Sequence, residues 1–356
     1  MLGKVLNVAV FVAFAAFGLD RLPVINTFIA NAPSKLAIVQ PHRYVYPLKE
    51  LKNCEDAVMV RSVGFGILSC DPGRDHWNPI MECASYVAGL NVFDDPKKGP
   101  PGHLVRYMYK GRNMASHVDI ELVDYPETGG EFHPLGIEYH EESKTLFVIN
   151  NLSTGKRLEI FSDHETYITN CQYFGHENHH VLQTIETLVG LPLGGVFYVN
   201  FATNEVRSVA RVPFANGVVL LNSTHVAVAS TTKTGIYFYE RNSTTNELSH
   251  KRTVRTKHFV DNLSVDDSGA LILAGHPHLP SLEQKVACAA RRDDPECLDV
   301  KAGSWIQEWT EQEGLKDLYV GHEFESACTA VRDKAFGRGF AVGLYGEGIL
   351  LWGQLD

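Results

Sequence analysis

The chain has 356 residues, with 32 Lys and Arg against 42 Asp and Glu, a formal charge of -10 and 44% hydrophobic residues. That is enough material for a large core, and it excludes collagen-like, disordered and disulfide-only classes. The acidic balance argues against a nucleic-acid surface, which needs clustered Lys and Arg to neutralise phosphates, and it is compatible with binding a cation.

Val5 to Leu19, VLNVAVFVAFAAFGL, is a nearly continuous apolar run with Lys4 in front and Asp20 and Arg21 behind. It is short of the roughly 20 residues that a spanning helix needs, but it fits the hydrophobic part of a secretory signal. A helix packed on the domain is the rival reading, though such a helix normally carries a polar face. The expectation is therefore a secretory-route protein, secreted or membrane-associated. Sequons at Asn151, Asn222, Asn242 and Asn262 agree with that route, and the first three are the candidate glycosylation sites. Seven Cys are too few for a disulfide scaffold. Cys70 and Cys83 flank one polar loop and Cys288 and Cys297 another, which reads as two local staples in an oxidising compartment. At least one Cys is left over.

After Cys54 the chain reads as short strands. The runs at 64–70, 145–150, 165–170, 224–230, 270–275 and 339–344 combine β-branched or aromatic residues with small ones, and several lead into a turn and a second strand. Almost no long amphipathic helix intervenes, so the pattern predicts an all-β fold by radial repetition. Six openings predict a six-bladed propeller. The openings at 145 and 165 stand too close for a complete blade, so one blade is expected to be incomplete or wrongly divided. The division is a signal peptide or anchor over 1–22, a lead-in over 23–50 and the propeller over 51–356. SWIQEWTEQEGLKDL (304–318) is the most helix-like stretch, with Trp305 and Trp309 at i,i+4 on one helical face.

Polar residues inside apolar context mark the chemistry. They are Glu55 and Asp56 in CED, Asn216 in FANG, Asp261 and Asn262 in VDNLSVD, and His276 in GHPH. Adjacent acids on an extended segment point to opposite sides, so Glu55 and Asp56 can serve two sites. Carboxylate and carboxamide oxygens from Glu55, Asn216, Asp261 and Asn262, converging at a propeller channel, suit calcium better than zinc. Each residue alone reads equally well as a turn residue. The chain holds no G-x-S-x-G elbow, Walker loop, H-E-x-x-H or dinucleotide fingerprint, which argues against serine-hydrolase chemistry.

CED, FHPLGI at 132–137, FANG at 214–217, VDNLSVD at 260–266 and GHP at 275–277 together resemble the serum paraoxonase/arylesterase family, over roughly residues 50 to 352. The resemblance implies a six-bladed calcium-dependent lactonase with two calcium ions. Glu55, Asn216, Asp261 and Asn262 match ligands of the exposed catalytic ion, and Asp56 and the carbonyl of Ile137 match ligands of the buried one. His276 matches a histidine lining the pocket. The substrate class is a lipophilic ester or lactone, and the N-terminal segment resembles one that contacts lipid in some members.

The departures carry as much information. The family word F-N-P-H-G-I puts a water-activating histidine where this chain has Leu135. His133 stands two positions earlier, about 7 Å along a strand. The second histidine of that dyad falls on Asn151, whose amide cannot act as a base near neutral pH. The family's N-D pair, one ligand to each calcium, has no counterpart between 138 and 200. KRLEIF runs directly into SDHETYITNCQYF where the family has a longer stretch. Either Asp163, His164 or Asn170 compensates, or the chain is shortened with damaged metal sites. The expected activity is calcium-assisted ester hydrolysis with Glu55 or Asp261 activating water and His276 and His133 as further candidates. The other readings are a propeller used as a binding scaffold and a lactonase with one zinc or manganese ion.

Overall fold

The short strands pair into six separate antiparallel sheets. The computed structural model describes residues 2–40, 43–78, 99–110, 116–123, 125, 131–153, 155–160, 165–174, 176–291 and 294–353. Helix α1 (Leu2–Ala30) comes first, and strand β1 (Arg43–Tyr46) leaves the lead-in expected over 23–50.

Blade 1 contains β2 (Cys54–Val60), β3 (Phe65–Cys70), β4 (His103–Met108) and β5 (His117–Asp119). Blade 2 has β6 (Pro134–His140), β7 (Thr145–Leu152) and β8 (Gly155–Ile160). Blade 3 has β9 (Glu165–Asn170), then helix α2 (His176–Val189), β10 (Gly195–Asn200) and β11 (Glu205–Arg211). Blade 4 is made of β12 (Ala215–Asn222), β13 (His225–Ser230), β14 (Gly235–Arg241) and β15 (Leu248–Arg255). Blade 5 consists of β16 (Phe259–Val265), β17 (Leu271–His276), helix α3 (Leu279–Cys288), β18 (Ser304–Thr310) and β19 (Gly314–Gly321). Blade 6 comprises β20 (Ala327–Asp333), β21 (Arg338–Gly343) and β22 (Ile349–Gly353), and β1 is its outer strand, pairing Arg43 with Trp352 and Tyr46 with Ile349. The N-terminal lead-in thus closes the last blade.

The first strands pack around an axis, β12 on β16, β16 on β20, β20 on β2 and β2 on β6. Apolar side chains fill the wedges between blades. Ala227, Ala229, Ile236 and Phe238 of blade 4 meet Val260, Leu263, Leu271 and Leu273 of blade 5, for example. β9 packs on β12, but no comparable packing joins β6 to β9 among the described residues.

The six runs read as openings all fall on second strands, β3, β7, β9, β13, β17 and β21. Most second strands are buried on both faces, so they are evenly apolar and the easiest to see, whereas β9, ETYITN, is only partly buried. β9 belongs with them. A helix follows it, as α3 follows β17, and it has no first strand of its own among the described residues. β8 likewise has no outer neighbour. The closely spaced openings at 145 and 165 therefore mark two incomplete blades, where the sequence reading expected one.

One element is corrected. Residues 304–318 form the β18–β19 hairpin and not a helix, with Ser304 opposite Gly321 and Thr310 opposite Gly314. Spacing by four also keeps Trp305 and Trp309 on one side of a strand. Trp305 donates its indole N–H to Asp317, and the Trp309 ring packs on Phe238.

The second half of α1 is fixed to the propeller. Phe28 packs on Phe259 with ring centroids 4.6 Å apart, Val24 is buried, and the Asn31 amide donates to the carbonyls of Lys257 and Pro277. No described helix is long and apolar enough to cross a membrane.

Candidate functional site

Five first strands lose register near their starts. The shifts lie between Cys54 and Asp56, Pro134 and Ile137, Ala215 and Val218, Val260 and Leu263, and Ala327 and Thr329. A bulge bends its strand and re-aims the side chains at the extra residue. The bulges hold Glu55, Asn216 with Gly217, Asp261 with Asn262, and Cys328, while the one in β6 holds Leu135 and Gly136, so four of the five first strands bring a polar or thiol side chain to one level. Gly217 shows how close the strands come there. A Cβ on it would lie 2.7 Å from the Cα of Asn262.

These residues bound a cavity of about 1030 Å³ whose walls include Glu55, Asp56, Asn216, Asp261, Asn262 and His276. The Asn262 amide donates to Glu55 Oε1 and to Thr329 Oγ1, both at 2.9 Å. Thr329 in turn donates to the carbonyl of Glu55 and to Asp56 Oδ1. Asn216 donates to Thr231 Oγ1 at 3.2 Å, and Thr231 donates to the carbonyl of Val260. His276 Nε2 lies 3.0 Å from Asp261 Oδ2. Beneath them the free thiol of Cys328 donates to the Glu55 carbonyl, and burial pushes its pKa well above the ordinary value, leaving it inert.

The electrostatics are those of crowded acids. Burial first, then Asp56 and Asp261, raise the Glu55 carboxyl to about 8. Burial also raises Asp56, to about 6, against the hydrogen bonds it accepts. Glu55 Oε2 is buried and has no hydrogen-bond partner. An orphaned carboxylate oxygen beside a second carboxylate and two carboxamides is chemically suited to a hard, oxygen-seeking cation. Asp56 differs. Its Oδ1 accepts from the Ala57 N–H and Thr329, and its Oδ2 accepts from the Ile137 N–H at 2.8 Å. Ile137 thus offers Asp56 its N–H, and the acid expected to hold a buried second ion is satisfied by protein donors. Among the described residues no three His, Cys, Asp or Glu side chains are grouped to hold a metal. The fit for a cation therefore rests on carboxamide oxygens as well.

Several expectations are corrected. His133 does not join the cavity wall. It precedes the bulge of β6, and its ring turns away to Asp71, 3.1 Å from Nδ1, and to Trp77. Asn151 is 1% exposed, so the folded chain cannot present it to a glycosyltransferase, whereas Asn222 and Asn242 are exposed. Cys70 pairs with Cys54 directly across β2 and β3, so a Cys70–Cys83 staple is not formed. The register of adjacent strands brings those two Cys together more closely than a loop could. Cys83 lies outside the described residues. Cys288–Cys297 forms as expected. Of the residues considered as substitutes, Asp163 and His164 lie outside the described residues, and Asn170 spends its amide on the Gln172 carbonyl. Thr329 and Thr231 organise the site and were missed. Their one signal is position, since Thr329 follows the bulge of its first strand as Asp56 does.

Fold and site together define a six-bladed β-propeller with an acidic, oxygen-lined central cavity. The family model described as Arylesterase matches residues 158–298. Serum paraoxonase/lactonase 3 of Oryctolagus cuniculus is 27% identical over 305 residues, 78% of this chain and 81% of that protein. The chain is thus similar to the paraoxonase/arylesterase family, in its second half by the family model and over most of its length by the relative. Among solved structures, a gluconolactonase from Xanthomonas campestris is 10% identical with a TM-score of 0.49, covering 90% of this chain and 92% of that one. A chain of a nidogen/laminin complex is 8% identical with a TM-score of 0.41, covering 81% and 92%.

Proposed function

We propose that this protein hydrolyses carboxylic esters and lactones in its central cavity with calcium as its cation. The observation that carries the reading is the convergence of Glu55, Asn216, Asp261 and Asn262 at bulges of three first strands, β2, β12 and β16, with Asn262 bonded to Glu55 Oε1 and Glu55 Oε2 left unpartnered. Those four residues would hold the ion, which when bound would polarise the substrate carbonyl and stabilise the oxyanion. The chain's own part is positional and basic. Thr329 and Thr231 fix Asn262 and Asn216, and His276 fixes Asp261. Glu55 Oε2 is the open oxygen that would face the ion, and Asp261, held by His276, would take the proton from an attacking water, in the role a histidine fills in the family the chain resembles. The apolar walls, Ile149, Ile168 and Leu282 among them, favour lipophilic substrates. Assays of phenyl esters and lactones with and without a calcium chelator test this. Hydrolysis that ignores the chelator, or none at all, would sink it.

The lack of a first strand in blade 3 among the described residues favours a second reading, a propeller that binds without catalysis. Calcium titration of the folded protein separates the two, because absence of binding supports the scaffold.

The cellular setting proposed is the secretory route. The disulfides Cys54–Cys70 and Cys288–Cys297 suit an oxidising compartment. Phe11, Phe14 and Leu19 of α1 and Val181 and Leu188 of α2 are exposed apolar side chains suited to a lipid surface. The Arg21 guanidinium joins the two helices by packing against Gly190.

A further inference from the structure

The starts of three bulged first strands converge on one buried cation. Arg74 sits on the short helical turn Pro72–Asp75 that follows β3, and it is fully buried. Its Nη1 donates to the carbonyls of Asn53 at 2.7 Å and Leu344 at 3.1 Å, and its Nη2 reaches the Pro134 carbonyl at 3.4 Å. Asn53 immediately precedes the bulge of β2 that carries Glu55, and Pro134 opens the bulge of β6. Leu344 extends the contact to blade 6. Its own N–H donates to the carbonyl of Ser326, the residue before the bulge of β20. One planar guanidinium therefore ties together the entries to β20, β2 and β6, first strands that pack on one another in that order. Two of those entries need holding. Asn53 and Ser326 adopt left-handed backbone, with φ of 55° and 50°, a region that residues with side chains rarely enter without support. The entry to β12 has a different hold, the Thr231 N–H on the Phe214 carbonyl.

Stability alone does not account for this arrangement. A buried guanidinium is costly to desolvate, and the one carboxylate paired with Arg74, that of Asp71, lies 3.9 Å from Nε and is shared with His133. Nε itself has no hydrogen-bond partner, so backbone carbonyls are what the cation mainly meets. We propose that Arg74 is a positioning residue of the site, setting the level at which β2 and β20 present Glu55, Asp56 and Thr329, with the entry to β6 as its third hold. The proposal rests on the hydrolase reading above and assigns part of its cation affinity to a residue that is not on the cavity wall. A guanidinium suits the task because its rigid fork bonds several carbonyls at once, in charge-assisted geometry.

The test is hydrogen exchange of the whole protein with chelator present, read by mass spectrometry on peptides spanning each bulge. In Arg74→Met, amides at the entries to β2, β6 and β20 should exchange about tenfold faster, while those at the entry to β12 keep the wild-type rate. Arg74→Lys, which keeps the charge and loses the fork, should shift the same three by about threefold. Calcium titration by calorimetry is the second readout. Its Kd should rise about tenfold in Arg74→Met and stay unchanged in Arg332→Met, which removes an ion pair away from the bulges. Circular dichroism checks that each variant is folded, and Arg74→Lys carries both readouts if Arg74→Met is not. Exchange that rises equally at all four entries, or at none, overturns the positioning role. So does a Kd that moves as much in Arg332→Met as in Arg74→Met. Because exchange is read without the ion, a wild type that binds no calcium would lose the hydrolase reading, while the three-entry pattern would retain the role of Arg74.

Discussion

Blades 4, 5, 6 and 1 form one arc of four-stranded sheets, while blades 2 and 3 have three strands each. Along the complete arc the first strands touch in sequence, and Glu55, Asn216, Asp261 and Asn262 sit on bulges of three of them. In the short arc the two strands absent among the described residues are consecutive in chain order, the outer one of blade 2 and the first one of blade 3. The proposed chemistry is thus concentrated on the intact side, and the loss of chain falls on the other. The comparison teaches that a propeller can lose a strand at each of two neighbouring blades and still hold four of its oxygen-bearing residues together, at the cost of an open flank.

The largest effect expected on this comparison is on catalysis. If the intact arc holds the whole reactive centre, Glu55→Gln should lower kcat/KM for a phenyl ester by about 10²–10³, the scale seen when one transition-state contact is removed. The fold should persist, since the amide still fits the pocket. Activity unchanged by this substitution would place the chemistry elsewhere.

Stability gives the next test. Arg332 of β20 reaches Asp266 at 2.6 Å and Glu308 at 2.7 Å, tying blade 6 to blade 5 in a nearly buried triad. Arg332→Met removes the cation buried with both carboxylates, leaving Glu308 only the exposed Lys316 and Lys334 and Asp266 only Ser268 and Ala270, and should cost about 3 kcal/mol in urea unfolding. Burial opposes ionisation of Asp266, but hydrogen bonds from Ser268 and Arg332 outweigh it and hold its carboxyl below the ordinary range. Glu308 is held low in the same way, by Arg332 against burial. A carboxylate depressed in the folded state stabilises fully above its unfolded pKa, about 4, and loses that contribution as pH falls through the native value. The wild type should therefore lose stability below about pH 4 more steeply than Arg332→Met.

Metal binding sharpens the comparison further. Asp56 is satisfied by Ala57, Ile137 and Thr329, and among the described residues the short arc has no first strand in blade 3 to add ligands. Calorimetry should find one calcium per chain, where the family resemblance implies two. At a hundredfold excess over Kd this ion should add about 2.7 kcal/mol of stability. A stoichiometry of two would mean that Asp56 exchanges its hydrogen bonds for an ion, and the distinction between the arcs would fail.

Much of this was legible in the sequence, and the reasons for success and failure are physical. The second strands announced six blades, most of them because burial on both faces keeps them apolar, and β9 by its β-branched and aromatic residues alone. Glu55, Asn216, Asp261 and Asn262 were legible because acids and amides inside apolar strands cost energy unless they have a task. What the sequence could not reveal depended on register. Cys54 faces Cys70 only because β2 and β3 pair with that offset, and His133 turns to Asp71 only because β6 bulges after it. Asn151 reads as a surface sequon until β7 is seen as an interior strand. The 304–318 stretch misled because spacing by four satisfies a helix face and a strand face alike.

The smallest expected effect lies on the rim of the short arc. Arg207 of β11 pairs with Glu205 at 2.8 Å and reaches across to Glu247 and the Thr245 carbonyl of blade 4. It resembles Arg332 in joining two blades through acids, but its partner carboxylates are about half exposed, so water already solvates them. Exposed pairs of this kind contribute about 0–1 kcal/mol, and Arg207→Gln should shift the urea midpoint barely or not at all. The contrast with Arg332→Met then measures burial alone, because charge and connectivity are alike. If Arg207→Gln instead cost as much as Arg332→Met, blade 3 would be held in the ring by its outer ion pairs. The packing of β9 on β12 would then not suffice, and the open flank would be the structurally fragile half of the molecule.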